Sequence, residues 1–464
     1  MTRGSLEILN QENKVVIIGC GAGGGTAAQF ARKTDRKATI TVFEKGKYPQ
    51  YSKCGLPYAI SGDIPEINNL VEFSEEWFKK ANIDLHLNTI VKKIDFKKKI
   101  VYAKKDDKSI EKSYNSLIIC TGAKPFIPPI ENINVDGVFV VRTIDDAKKI
   151  LSKIKNSKNA TIVGAGLIGL EIADNLRKKD INITIVEALP RILANNLDGD
   201  MSEIVANQIP NEIKILTNHV VTKVETSNDK IKKILIKDNT SGEIKSVFTD
   251  FLVLATGTKP ETTLAKSIGC KIGKTGGIIV NKKCETSIKD IYSVGDCTEY
   301  VDFVTTKPTL IGLGSIAVKQ AITAGTNASG GNYELLKGIL NTSTSEFFGI
   351  EIAAVGPTLN TIEKDFSVVT GRFNGSSLPR YFPGGRPISI KILVDQYTGM
   401  IMSAQAVGSN AAQRINTFAC AILGELDVKT MRKLETAYAP PIAPTLDAIT
   451  LVCDIVSIKL SRKK

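Results

Sequence analysis

Cys54 has the greatest chemical reach in this sequence, in the stretch Tyr51-Ser-Lys-Cys-Gly-Leu-Pro-Tyr58. A thiol attacks and ligates only as the thiolate, so its surroundings decide whether it reacts. Lys53 puts a positive charge beside it. Gly55 and Pro57 have the look of a first helical turn, which would set the sulfur near a helix N-terminus; both features lower a thiol pKa. The chain's eight cysteines are Cys20, Cys54, Cys120, Cys270, Cys284, Cys297, Cys420 and Cys453. They are scattered, with no CxxC and no close pair, which fits neither a disulfide framework nor a zinc site. His86 and His219 are the only histidines, so no metal site built on histidine is expected. Most isolated cysteines are inert core residues, and what sets Cys54 apart is the machinery around it.

That machinery begins at Lys14-Val-Val-Ile-Ile18, a short apolar run typical of a buried parallel strand. Gly19-Cys-Gly-Ala-Gly-Gly24 follows directly and matches GxGxxG, with Gly19, Gly21 and Gly24 as its fixed positions and Ala22 and Gly23 between them. An Ala-rich helix to about Thr34 comes next. A second strand, Ala38 to Glu44, then ends in an acid twenty residues beyond Gly24, with Lys45 next to it. Such glycines let backbone amides approach a pyrophosphate at the helix N-terminus, and the acid takes ribose hydroxyls. Cys54 lies ten residues past Glu44. The pattern recurs at Ala160–Val163, Gly164-Ala-Gly-Leu-Ile-Gly169 and Asn182–Glu187. Gly164, Gly166, Leu167, Ile168 and Gly169 form its loop, Glu171 sits in the helix behind, and Glu187 is its acid. The chain therefore carries two dinucleotide sites. Glu187 would repel a 2′-phosphate, which favours NADH, while nearby Arg191 leaves NADPH possible. Two more strands end alike, at Thr121-Gly122 and at Gly257. A third closes on Gly295-Asp296, where an aspartate suits the ribityl hydroxyls of a flavin.

The elements that position these residues imply an α/β protein. A length of 464 residues predicts three domains at ~150 residues each. Residues 1–122 and 251–331 are expected to form an FAD-binding domain of Rossmann type, and 123–250 an NAD(P)H-binding domain of the same type. From about residue 332 the pattern changes. Ile350–Val355 and Ile388–Val394 alternate apolar and polar residues, and amphipathic helices follow near 411–423 and 428–434. Residues 332–464 are thus expected to be an α+β domain with an antiparallel sheet, serving dimerisation. No apolar run reaches the ~18 residues of a membrane span, and the N-terminus lacks a signal peptide's apolar core; a cytoplasmic protein without membrane attachment is expected. The net charge of +13 is dispersed. Its densest stretches, Lys97–Lys99 and Lys104-Lys105, read as solvated faces rather than a nucleic-acid surface. A positive field still favours small anionic substrates.

The two fingerprints, both Thr-Gly turns, Val294-Gly-Asp296 and the Cys54 stretch together resemble the single-cysteine branch of the FAD-dependent pyridine nucleotide-disulfide oxidoreductases. That branch includes coenzyme A-disulfide reductase, the likeness nearest here, with NADH oxidase, NADH peroxidase and NAD(P)H-dependent sulfur reductases. Glutathione reductase-type members carry CxxxxC, whereas position 59 is Ala59, so a redox partner for Cys54 must come from outside. Oxidases and peroxidases of the branch carry a histidine where this chain has Ala22. Arg380-Tyr-Phe-Pro-Gly384 and Ala437-Tyr-Ala-Pro-Pro441 resemble the segments that deliver two tyrosines to the partner subunit's thiol, which assigns Tyr381 and Tyr438 as catalytic. Thr26, Lys33 and Lys53 match substrate-binding positions; basic residues that the family places near Glu76 and Leu446 are absent. The resemblance implies a homodimer with shared active sites. In it NADH reduces FAD, and FAD reduces a mixed disulfide between Cys54 and a small thiol such as coenzyme A. The alternatives are an NADH oxidase working through a Cys54 sulfenic acid and a non-catalytic NADH-binding redox sensor. A membrane flavoprotein linked to quinone is a weaker reading still.

Overall fold

The computed structural model describes residues 13–228 and 230–462. The chain divides into two compact units. One comprises the chain up to Gly55, Pro65–Phe126 and Thr258–Ile339; the other comprises Leu56–Ile64, Ile127–Gly257 and the chain from Leu340 onward.

The first unit is built on a parallel five-stranded sheet, in the order Ile291–Ser293, Ser116–Ile119, Lys14–Ile18, Thr39–Phe43, Ile83–His86. Its central strands are apolar along their length because both faces are covered. On one face lie the helices Ala22–Thr34 and Gly314–Ala328, whose small residues Ala27, Ala28, Ala31, Ala321 and Ala324 are buried together. The two backbones come so close that a Cβ on Gly325 would lie 2.4 Å from the Ala27 carbonyl oxygen. The other face is covered by an antiparallel sheet of Ile90–Asp95, Ile100–Lys105 and Lys108–Ser113. Val91, Ile94, Val101 and Ala103 point into it, and Lys97, Lys98, Lys104 and Lys105 are exposed.

The second unit contains a matching parallel sheet, in the order Lys214–Leu216, Asn182–Val186, Asn159–Val163, Phe251–Leu254, Val138–Val140. Here the expected boundary at 250/251 needs correction. Phe251–Leu254 pairs with Asn159–Val163 and so belongs to the second nucleotide sheet. This unit also holds an antiparallel sheet of three strands, His219–Ser227, Lys230–Asp238 and Ile244–Phe248, and one of five, Ser343–Phe347, Ile350–Val355, Ile401–Gly408, Pro387–Asp395 and Val368–Ser376, the latter packed with the helices Ala411–Leu423 and Ala448–Arg462. The strand Pro387–Asp395 departs from the expected alternation: Ile388 to Val394 are all buried. Lys391 can sit there because its Nζ lies 2.9 Å from Asp198 and 2.8 Å from Asp200. Asp198 in turn accepts from the Leu359 amide, and its own amide donates to Gln405. This buried junction joins the second nucleotide domain to the C-terminal sheet. No helix among the described residues is long and apolar enough to cross a membrane.

Candidate active site

The first glycine loop takes the shape its sequence demands. Gly19 has φ +101°, and a Cβ there would meet the Cys120 carbonyl oxygen at 2.3 Å; one on Gly24 would meet the Gly19 oxygen at 1.7 Å. The helix behind it, Ala22–Thr34, starts at Gly21 with no side-chain cap and no acid in its first turn. Its leading amides therefore remain for an anion. Glu44 ties the loop together, Oε2 accepting from the Cys20 amide and Oε1 from the Gly46 amide, both at 2.7 Å. Val294 abuts the loop at Gly23, which brings the Gly295-Asp296 turn alongside. Thr121 donates to the Glu261 carbonyl at 2.5 Å, fixing the Thr121-Gly122 turn. Lys45 is exposed beside Glu44.

The second loop repeats this wiring. Gly164 has φ +107° against the Ala255 carbonyl, and Gly166 begins the helix Leu167–Arg177 with neither cap nor first-turn acid. Glu187 accepts from the Ala165 amide at 2.6 Å and from the Leu189 amide at 2.8 Å. Ile168 in the loop is half exposed, and Gly257, with φ +90°, follows the neighbouring strand. Pro190, Arg191 and Ile192, just after Glu187, line a cavity of about 510 Å³ together with Ile213, Ile215 and Thr217. Glu171, one turn into the helix, accepts from Ser345 at 2.5 Å. Burial raises its carboxyl above the usual range, and the Ser345 bond offsets this in part. Two uncapped helix starts behind glycine loops, each with an acid at the end of the next strand, fit two dinucleotides.

Cys54 and Gly55 form the turn that precedes the short helix Leu56–Ser61, with Pro57 in its first turn. The preceding residues are held by neighbours in their own unit: Ser52 N donates to Leu70 O, and Glu72 N to Gln50 O. Among the cysteines only Cys54 and Cys420 are exposed. Burial pushes the thiols of Cys20, Cys120, Cys270, Cys284 and Cys297 up, and that of Cys453 to about 12. Of the residues matched to substrate binding, Lys53 and Lys33 are exposed, and Lys33 Nζ lies 4.4 Å from the Phe30 ring centre. Thr26 is only 6 % exposed, on the buried side of its helix.

Tyr381 and Tyr438, 57 residues apart, meet in space with their phenol oxygens 2.9 Å apart. Tyr381 sits in a loop closed by Ser377 N donating to Arg386 O. Tyr438 lies in the segment before Ala448–Arg462, whose far end is pinned by a buried pair: Arg414 Nη2 and Nε reach the Asp447 carboxylate at 2.8 and 3.1 Å. Both tyrosines are well exposed, at 71 % and 47 %. The hydrogen bond to Tyr438 is the main reason that the Tyr381 phenol is raised above its ordinary value. The Arg414–Asp447 anchor escaped the sequence reading; its only local signal is an aspartate immediately before a helix.

Comparison with known proteins agrees with this geometry. The profile of the pyridine nucleotide-disulphide oxidoreductases matches residues 13–321, and that of their dimerisation domain matches 342–448. An NADH oxidase of Methanocaldococcus jannaschii is 37% identical over 457 residues, covering 97% of this chain and 100% of that protein. An NAD(P)H coenzyme A polysulfide/persulfide reductase of Pyrococcus horikoshii is 32% identical over 453 residues, covering 96% and 99%. Among solved structures, an NAD-dependent persulfide reductase from A. fulgidus superposes with a TM-score of 0.93 at 33% identity, over 97% of this chain and 84% of that one. Twin nucleotide loops, an exposed thiol in the first unit and a C-terminal dimerisation domain lead to one conclusion: the chain belongs to the pyridine nucleotide-disulphide oxidoreductase family.

Proposed function

We propose that this chain reduces small disulfides with electrons from NAD(P)H, and that coenzyme A disulfide or a related disulfide or polysulfide is the acceptor. The observation that carries the reading is the exposed Cys54 thiol, whose own loop has Ala59 and no second cysteine. A disulfide at Cys54 must then be made with a thiol from outside this loop. Bound FAD and nicotinamide supply a two-electron relay from NAD(P)H to that disulfide. The residues of the chain do the rest. Two electrons and one proton convert the Cys54–S–S–R bond into a Cys54 thiolate and RSH. The thiolate then attacks the next R–S–S–R, forming a new mixed disulfide and expelling RS⁻. Tyr438 donates its phenol hydrogen bond or proton to the departing sulfur, and Tyr381 supports it through their 2.9 Å contact. The exposure of both phenols supports action on Cys54 of a second copy, which makes the dimer the working unit. The names of the polysulfide/persulfide and persulfide reductases support the acceptor class.

A second reading has specific support in the M. jannaschii relative named NADH oxidase: oxygen as acceptor, with Cys54 cycling through sulfenic acid. Comparing oxygen with disulfide consumption under one NADH supply separates the two. The deciding experiment on Cys54 is Cys54→Ser. Disulfide reduction should disappear while FAD stays bound, and the wild type alone should lose the mass of a small thiol on reduction. Retained disulfide reduction by the variant would reduce Cys54 to a packing residue.

A further inference from the structure

We propose that Gln320 is a positioning residue for the flavin, acting from inside the first unit by bracing the turn that presents Asp296. The inference rests on the reading that Asp296 meets the flavin's ribityl chain. Gln320 lies in the middle of the helix Gly314–Ala328 and is 0 % exposed. Above it the strand Ile291–Ser293 ends. The Val294 amide still pairs with the Ile119 carbonyl at 3.1 Å. Gly295, with φ +80°, is the first residue whose amide no longer finds a strand. That amide donates to Gln320 Oε1 at 2.8 Å. Thr298 closes the other side: its hydroxyl lies 2.7 Å from the Gly295 carbonyl and 3.2 Å from the same Gln320 oxygen, and its amide donates to the Gly295 carbonyl at 2.9 Å. One buried side-chain oxygen thus holds both ends of a turn with Asp296 at its apex.

Packing alone does not explain a glutamine there. Its Nε2 is buried without a hydrogen-bond partner, and a buried donor left unpaired carries a desolvation penalty. An apolar residue of the same length would escape that penalty. What it would lose is the acceptor for Gly295. Glutamate would supply the acceptor, but as a buried charge without a counter-ion. The amide is the neutral side chain that braces the turn, and a turn braced by the protein's own side chain lowers the ordering cost of binding.

The test follows FAD release from the holoenzyme by the rise in flavin fluorescence on dilution. Gln320→Met should release FAD about tenfold faster, the size expected for losing one buried neutral hydrogen bond. Asp296→Ala measures the apex itself, and the double variant closes the cycle. If Gln320 acts through the turn, the double variant releases FAD no faster than Asp296→Ala. Additive effects would mean that Gln320 is only a packing residue, and an unchanged rate in Gln320→Met would also overturn the proposal while leaving Asp296 in its role. Unchanged release in Asp296→Ala would remove the flavin contact itself, and this inference with it. Should Gln320→Met fail to fold, Thr298→Val removes the hydroxyl that shares the brace, and the same non-additivity with Asp296→Ala is required of it.

Discussion

Replacing Tyr438 with phenylalanine separates chemistry from folding. The ring stays and one oxygen goes, along with its 2.9 Å contact to Tyr381. Because both phenols are well exposed, water replaces that contact readily, and the loss of fold stability should be small. A positioned proton donor contributes ~10²–10⁴ in rate, which is ~3–5 kcal/mol of barrier at 1.36 kcal/mol per tenfold. A small loss of stability cannot mimic a rate loss of that size. Steady-state reduction of coenzyme A disulfide with NADH should therefore slow by that factor in Tyr438→Phe. The melting curve, and the anaerobic bleaching of the flavin by NADH, should be nearly unaltered. Tyr381→Phe should slow turnover less, because Tyr438 keeps its own hydroxyl, and the double variant should be slowest. Undiminished disulfide turnover in Tyr438→Phe would refute the donor role, and so would equal slowing of the NADH half-reaction.

Two further outcomes follow from the second nucleotide loop. Glu187→Ser should shift the ratio of kcat/KM values toward NADPH by removing a carboxylate from the ribose site; it should also weaken NADH use roughly tenfold, because the Ala165 and Leu189 amides lose their acceptor. An unmoved ratio would point to Arg191 as the dominant group. Glu171 concerns pH. Burial raises its folded-state pKa above the ordinary 4.5, so the native protein holds this proton more tightly than the unfolded chain does. The wild type should then lose stability as pH rises from the ordinary carboxyl range through the raised value. Glu171→Gln cannot ionise there, so its melting temperature should gain on the wild type across that window and run parallel above it. A constant difference from about pH 4 to about pH 8 would remove the effect assigned to Glu171.

Both glycine loops were legible because their requirement is local. Gly19, Gly24, Gly164 and Gly169 each face a carbonyl oxygen where no Cβ fits, and chain geometry forces that on any sequence using this turn. The strands beside them were legible for the same reason, as short apolar runs. What depended on distant partners was not. The boundary at 250/251 missed because Phe251–Leu254 resembles the strand before Thr121 locally, and only its pairing with Asn159–Val163 assigns it to the second sheet. The burial of Ile388 to Val394 escaped because Lys391 reads as an outward-facing charge until Asp198 and Asp200 are seen beside it. Gln320 has no local motif; its partner is 25 residues earlier in the chain.

The junction around Lys391 bears on how such a protein could have been assembled from parts. By its sequence the C-terminal sheet looks like a portable module, free to be fused elsewhere. Its Lys391, however, is neutralised by carboxylates from the second nucleotide domain, and breaking a buried pair of this kind costs ~3–5 kcal/mol. Moving the sheet alone would strand an ammonium inside it; moving the nucleotide domain alone would strand Asp198. Recombination that split the two would meet this penalty at once, so the heritable building block is the pair of domains.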